Sequence, residues 1–307
     1  MSRAETTWTG VGATVRGAQH RREGLPNQDF ISWWPRPSNA VSPEALSAGS
    51  GITGPALIVQ GDFLAVALAD GHGHPKGVRA DSGARIAVGA ALDVVCHSRS
   101  DLLSIDGAKS LQECLPARIT AMWTERVAWD LGRRPLGEEE LAKVAYLEGP
   151  TGRSALERHP EAAYGTTVIL AIAAADHLLL AQLGDGDLLL VDSEGLVLRP
   201  IEKDLDLIAN HTWSLASGDA AERFKTTLLR EGSAVELVLA ATDGYSNSYE
   251  STADFDKVAT DILDTIREHG FEALQANLPT WLEATTEHGS GDDITVAVLA
   301  RAPAMVR

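Results

Sequence analysis

The sequence predicts an α+β fold built on antiparallel sheets. Strand-like apolar runs at Thr167–Ala174, Leu178–Leu183, Leu188–Asp192 and Leu196–Arg199 are separated by turns as short as Ala175-Asp176-His177 and Ser193-Glu194-Gly195. Turns of that length join antiparallel neighbours, because a parallel pair needs a crossover of a dozen residues or more. Helical periodicity is confined to two blocks, one after the early strands and one before the last strand, and strands and helices segregated in this way suit α+β. With 307 residues, 44% of them hydrophobic, the chain is long enough for a full core, and it reads as a single domain over 1–307.

In chain order, Trp8–Arg16 reads as the first strand and Gly17–Asn27 as a polar loop carrying His20, Arg21 and Arg22. Gln28–Trp34 reads as the second strand. The stretch 35–55 is rich in Pro, Ser, Gly and Ala and reads as an inserted loop. Ala56–Gln60 and Phe63–Ala69 are expected to form a hairpin about Gly61-Asp62. Two amphipathic helices follow, about Asp81–Ser98 and Leu111–Leu131. In the second, Ile119, Met122, Trp123, Val127 and Leu131 recur at helical steps and mark a packed face. Gly132–Tyr164 reads as a connection with a short helix near Glu138–Tyr146. The four strands of a meander come next. The polar segment 202–222 is followed by strands at Phe224–Arg230 and Val235–Ala241, then a helix pair, Thr252–Glu268 and Phe271–Glu287, broken at Gly270. Ile294–Ala300 is the final strand.

Acids stand at the ends of several of these strands. Phe63–Ala69 carries no charge, as a strand buried on both faces would read, and it stops at Asp70-Gly71-His72-Gly73. Leu178–Leu183 leads through Gly184 to Asp185-Gly186, Val235–Ala241 leads through Thr242 to Asp243-Gly244, and Gly291-Asp292-Asp293 precedes the last strand. One Asp-Gly after a strand is an ordinary turn signal; its recurrence is not. Carboxylates brought together by converging strand ends repel one another unless cations lie between them. An all-oxygen donor set suits hard cations, Mn²⁺ or Mg²⁺.

Taken in order, Asp70-Gly71-His72-Gly73, Gly165-Thr166-Thr167, Gly184-Asp185-Gly186, Asp243-Gly244 and Gly291-Asp292-Asp293-Ile294-Thr295 resemble the motifs of the metal-dependent protein phosphatases, the PPM or type 2C family. Asn27-Gln28-Asp29 is similar to that family's first acidic motif, and the likeness runs from about Val11 to Ala300. The resemblance implies an α-β-β-α sandwich of two antiparallel sheets flanked by helix pairs, with 202–222 as a flap beside the active site. It also implies hydrolysis of phosphoserine and phosphothreonine in proteins by a water activated between two Mn²⁺ or Mg²⁺ ions, with a third ion in some relatives. Two such ions polarise the phosphoryl oxygens and lower the pKa of a water from 15.7 to about 7.

Carried over residue by residue, the resemblance makes Asp70 the shared ligand, the Gly71 carbonyl a ligand of one ion, and Asp243 and Asp292 ligands of the other. Asp185 matches a ligand of the third ion, and Asp293 stands where the family often has Asn, beside the ligands rather than among them. His72 matches the proposed general acid for the departing Ser or Thr oxygen. The family's first motif has Glu where this chain has Gln28, which leaves Gln28 and Asp29 as alternative ligands. Its phosphate-binding Arg falls here on Gly24, which leaves Arg21, Arg22 or His20 to take the phosphate.

The formal charge of −17 argues against nucleic acid and against an anionic membrane surface. No apolar run reaches the ~18 residues of a membrane helix, the start lacks a signal peptide's apolar core, and the two cysteines, Cys96 and Cys114, read as reduced, buried thiols of a cytoplasmic protein. A phosphoprotein is the expected substrate, and a protein kinase partner is expected by analogy with a bacterial branch of the family. Gln28 and Gly24 keep open a second reading, a catalytically weak phosphatase-like module that binds or regulates a kinase, and a third is a two-metal hydrolase of small phosphoesters.

Overall fold

The computed structural model describes residues 8–35, 57–61, 63–202, 212–230 and 235–301. The inserted loop 36–55 and the flap residues 203–211 lie outside the described residues. In order, the elements are β1 (Trp8–Val15), α1 (Ala18–Glu23), β2 (Phe30–Trp34), β3 (Leu57–Gly61), β4 (Leu64–Ala69), α2 (Ala80–His97), α3 (Ile105–Arg133) and α4 (Glu138–Arg158). They continue as β5 (Val168–Ala173), β6 (His177–Leu183), β7 (Asp187–Asp192), β8 (Val197–Leu198), α5 (Ala220–Arg223), β9 (Lys225–Arg230), β10 (Val235–Ala241), α6 (Asp243–Ser246), α7 (Thr252–His288) and β11 (Ile294–Arg301).

Two antiparallel sheets result. One has the order β3-β1-β11-β10-β7-β8 and the other β2-β4-β5-β6-β9. Their inner faces meet in a core that includes Trp8, Trp33, Leu68, Ile169, Leu190, Val238 and Leu299. The outer face of the second sheet packs on α2 and α3, and that of the first on α7. The layers are therefore α-β-β-α. This explains why β4 and β5 show no alternation: every residue of both is buried, with a helix on one face and a sheet on the other.

The helices follow their spacing. Along α3, Ala108, Leu111, Leu115, Ile119, Trp123 and Val127 are buried at three- and four-residue steps, and the Ser104 side chain caps the start by accepting from Gly107 N at 3.2 Å. Ser251 caps α7 in the same way, and α7 is broken at Gly270, where φ is 82°.

Several expectations are corrected. β3 and β4 do not pair as a hairpin: β3 joins β1 in one sheet, while β4 lies between β2 and β5 in the other. The expected four-strand meander is cut at Gly184-Asp185-Gly186, because β6 pairs with β5 and β9 whereas β7 pairs with β10 and β8. A short turn fixes how far the chain can travel, but not whether the next strand stays in the same layer. Part of the polar loop after β1 is the helix α1, and the short helix expected near Glu138 extends to Arg158 with a break at Gly149. Cys96 and Cys114 are free, as read, but exposed rather than buried. Among the described residues no helix is long and apolar enough to cross a membrane.

Close approach between the two sheets is set at Gly10. A Cβ there would stand 2.5 Å from Cζ3 of the buried Trp33 ring on the facing sheet. Gly10→Ala is expected to lower unfolding free energy by about 1–3 kcal/mol, the cost of overpacking. A urea midpoint unchanged from the parent protein would show that the sheets are not in contact there.

Candidate metal centre

The strand ends of both sheets open onto one cavity of about 1070 Å³. Asp70 follows β4, Asp185 lies between β6 and β7, Asp243 follows β10, Asp292 precedes β11 and Gln28 precedes β2, and all five line that cavity together with Gly71 and His72. Rigid strands feeding the cavity from two layers bring together acids that are far apart in the chain.

Asp70 is held through its backbone. Its N–H donates to Thr167 Oγ1 at 3.0 Å, and its carbonyl accepts from Thr166 Oγ1 at 2.8 Å and from Thr167 N at 2.9 Å. This gives the Gly165-Thr166-Thr167 motif a physical role: it fixes the acid's backbone and leaves the carboxylate to the cavity. Gly71 donates its N–H to the Gln28 carbonyl at 3.1 Å. A Cβ at Gly71 would lie 2.6 Å from the Ala80 carbonyl oxygen and 2.8 Å from that of Gln28, so the position admits only glycine.

The acids interact directly. The Asp70 and Asp243 side chains lie close enough to interact directly, and Asp243 also accepts from Asn247 Nδ2 at 2.9 Å. Burial pushes Asp70 well above the usual carboxylate range, and the negative charges of Asp29, Asp243 and Asp292 push it further. Burial and then the charge of Asp185 raise Asp243 to about 6, and burial also raises Asp292. Without a cation the raised acids favour holding protons; divalent cations among them favour the fully ionised set. The donor set, carboxylate and carbonyl oxygen with the Gln28 amide, fits Mg²⁺ or Mn²⁺.

Asp29 does not line the cavity. It is buried behind the site, where one oxygen accepts from Thr242 Oγ1 at 2.7 Å and the other has no hydrogen-bond partner. Asp293 is buried too, and it works as a brace. Its carboxylate accepts from Gly17 N and Gln28 N, both at 2.6 Å, and meets His20 Nδ1 at 2.9 Å. That hydrogen bond raises the His20 pKa. His20, Asp292 and Asp293 also bring ligand atoms within 4.8 Å of one another, although His20 and Asp293 already satisfy each other.

Of the three expected phosphate-binding side chains only His20 lines the cavity. Arg21 is turned to Glu287 at 2.9 Å and to the Arg16 carbonyl, and Arg22 is exposed. His72 lines the cavity, and its Nε2 is buried with no hydrogen-bond partner. Burial, helped by the charge of His74, lowers its pKa to about 4, so the ring is neutral at pH 7. Its loop is braced from α4, where Glu148 meets His74 Nε2 at 3.1 Å and Lys76 Nζ at 3.3 Å.

Sequence reading did not single out Thr242, Asn247, Ser290, Gln182, Trp213, Arg223, Lys225 or Glu148 as residues of the site or its bracing. Thr242, Asn247, Ser290 and Gln182 carried one usable signal, a hydroxyl or amide within a few residues of an acid. The others reach the cavity or its loop from elsewhere in the chain.

Comparison with known proteins places these observations. The profile of the family described as protein phosphatase 2C matches residues 56–283. No curated protein sequence matches the chain. A bacterial serine phosphatase superposes with a TM-score of 0.56 at 12% identity, over 97% of this chain and 99% of that one. PppA, a regulatory component of T6SS in Pseudomonas aeruginosa, superposes with a TM-score of 0.53 at 14% identity, over 96% and 98%. The catalytic domain of the serine threonine protein phosphatase PstP, in complex with two manganese ions, does so at 0.50 and 16%, over 97% and 100%. At these identities the superpositions establish a common fold.

The raised acids set a pH dependence. Asp243 is raised to about 6 from an ordinary 3.8, so its contribution to stability is full below pH 3.8 and is lost as pH rises through 6. His72, lowered to about 4 from 6.5, acts in the opposite sense, and its contribution is lost as pH falls from 6.5 towards 4. At pH 7.5 chelated protein carries the cost of the acids and none from His72. Asp243→Asn is therefore expected to raise the melting temperature of chelated protein at pH 7.5, by about 2–4 °C per kcal/mol of repulsion relieved. The gain should shrink towards pH 4, and the rise that Mn²⁺ gives the parent should be reduced. A lower melting temperature for Asp243→Asn in chelator at pH 7.5, read by scanning calorimetry, would count against the repulsive cluster.

Proposed function

This chain belongs to the protein phosphatase 2C family, the metal-dependent serine/threonine protein phosphatases, and from that premise we propose that its cavity hydrolyses phosphoserine and phosphothreonine at a dinuclear Mn²⁺ or Mg²⁺ site. The observation that carries this reading is the meeting of Asp70, Asp185, Asp243 and Asp292 at one cavity with His72 beside them. Asp70 and the Gly71 carbonyl would serve one ion, Asp70, Asp243 and Asp292 the other, and Asp185 a third. Bound divalent cations would supply the positive charge that draws in the phosphoryl oxygens and makes a water acidic enough to attack at neutral pH.

The chain's own residues supply position and a proton. Thr166 and Thr167 fix the direction of Asp70, and Asp293 fixes the backbone of Gln28 and the ring of His20. His20, raised by Asp293, offers positive charge to the substrate phosphate in place of the missing Arg. A new P–O bond forms to water as the P–O bond to the Ser or Thr oxygen breaks, and that oxygen needs a proton. His72 is the group assigned to deliver it, from its unpartnered Nε2. The buried imidazole is neutral alone, and the phosphate dianion arriving beside it favours the protonated form. Phosphoproteins are the substrates this implies, and a protein kinase working on the same substrates is the partner we infer.

A second reading, a catalytically weak phosphatase-like module, draws on one observation: Gln28, without a charge, occupies the cavity face where the family places Glu.

If His72 delivers the proton, His72→Ala should slow hydrolysis of a phosphothreonine peptide roughly 10²–10⁴-fold and that of p-nitrophenyl phosphate far less, since nitrophenolate leaves without help. Equal losses on the two substrates would remove His72 from that role.

Gln28 faces the cavity and Asp29 the packed interior. Gln28→Glu should therefore lower the Mn²⁺ concentration for half-maximal activity by about 10-fold or more, within the ~10–100-fold range of altered metal-site partners. Loss of all divalent-dependent turnover in Gln28→Glu, or a wild type whose activity survives exhaustive chelation, would sink the dinuclear reading. A wild type inactive at every Mn²⁺ concentration, with Gln28→Glu active, would favour the weak module.

A further inference from the structure

The cavity has a second, chemically different wall. Among the described residues its Lys and Arg lining consists of Arg223, from the short helix α5, and Lys225, at the start of β9. Both reach it from the segment that follows the flap. Lys225 pairs with Gln182 across β6 and β9, so the two side chains leave the sheet on the same face, and both line the cavity. The Lys225 ammonium donates to the Glu202 carbonyl at 3.0 Å, which holds it at the rim. The Arg223 guanidinium lies over Trp213, 3.9 Å from the ring centroid, while its Nε donates to Asp219 at 2.8 Å. Trp213 itself packs against the core beneath the second sheet. A guanidinium stacked on an anchored ring has lost most of its rotamer freedom, and its in-plane N–H groups suit a planar or tetrahedral oxyanion.

This arrangement is out of keeping with the rest of the surface. The chain carries a formal charge of −17, and the same cavity is lined by Asp70, Asp185, Asp243 and Asp292. Glu202 also lines the cavity and Asp219 holds the Arg223 Nε, so among the described residues this wall is set apart not by excess charge but by an Arg and a Lys whose heads are held in place at the cavity. The acids, once they hold divalent cations, account for the phosphate under attack. The Arg223 wall is then available to a different anionic group of the same substrate.

We propose that Trp213, Arg223 and Lys225 form an anion subsite that takes an oxyanion group carried next to the phosphoresidue, either a Glu or Asp side chain or a second phosphate. The enzyme is accordingly selective for acidic or multiply phosphorylated segments. This rests on the phosphatase reading above for its substrate class, but not for the subsite's chemistry.

The test compares kcat and KM of wild type, Arg223→Glu, Lys225→Ala and Arg223→Lys at saturating Mn²⁺. The substrates are p-nitrophenyl phosphate and three phosphothreonine peptides: one flanked by neutral residues, one by Glu, one by phosphoserine. Arg223→Glu should raise KM about 5–10-fold on the two anionic peptides, between the effect of an exposed ion pair and that of a charged hydrogen bond. Its kcat should hold, the neutral peptide and p-nitrophenyl phosphate should change less than 2-fold, and Arg223→Lys should restore part of the loss. The larger loss of the two identifies the preferred oxyanion. Equal losses on all four substrates would overturn the proposal, because the wall would then bind the phosphate under attack or only support the fold. So would no change on any substrate. A wild type inactive on p-nitrophenyl phosphate would be a failure of the phosphatase reading alone. In that case binding of a fluorescent Glu-flanked phosphopeptide, weakened by Arg223→Glu, still supports the subsite, and binding unaffected by that substitution overturns it.

Discussion

Carboxylates gathered in a half-buried cavity repel one another, and the rest of this structure is arranged around that repulsion. The acids of the site stand at strand ends, and Asp70 and Asp243 are close enough to interact directly. Burial raises the cost of charging them because it removes the water that would otherwise screen and solvate the ions. Such a site is poorly solvated and over-charged alone, and it is relieved by hard cations. The fold spends stability to keep a strong cation field in place.

The acids are fixed largely by their neighbours: Asn247 holds one oxygen of Asp243 and the Asp293 N–H one oxygen of Asp292, while Asp70 is held through its backbone. The carboxylates that face the cavity would lose ligand capacity if they were used to build the fold, and that work falls to neighbours. Thr166 and Thr167 secure the Asp70 backbone. Asp293, adjacent to Asp292, ties together the turn after β1, the backbone of Gln28 and the His20 ring. Thr242, adjacent to Asp243, closes onto the buried Asp29. In both pairs, 242–243 and 292–293, one residue faces the cavity and the next faces the interior.

The two walls of the cavity differ in the same physical terms. On one side, charge is concentrated and held by strand ends. On the other, Arg223 and Lys225 are spaced along an edge strand and a short helix, and an aromatic ring and a carbonyl hold their heads in place. A cavity lined by both acids and positioned N–H donors orients a charged chain better than one of uniform sign, since complementarity sets register.

Local sequence was enough to single out the acids that meet at the cavity and most of the elements. Uninterrupted apolar runs identified β4 and β5 because a strand covered on both faces cannot alternate, and Asp-Gly following the runs of β4, β6 and β10 singled out Asp70, Asp185 and Asp243. Helical spacing gave the packed face of α3, and Gly270 gave the break in α7. The layering of those elements was settled by packing. The hairpin expected about Gly61-Asp62 and the meander expected through Gly184-Asp185-Gly186 both failed, because a turn's length limits distance and not which sheet receives the next strand. The register of Gln28 and Asp29, the turning away of Arg21, and the presence of Trp213 and Arg223 at the cavity were equally illegible. Each depends on contacts between segments far apart in the chain, and no local pattern records those.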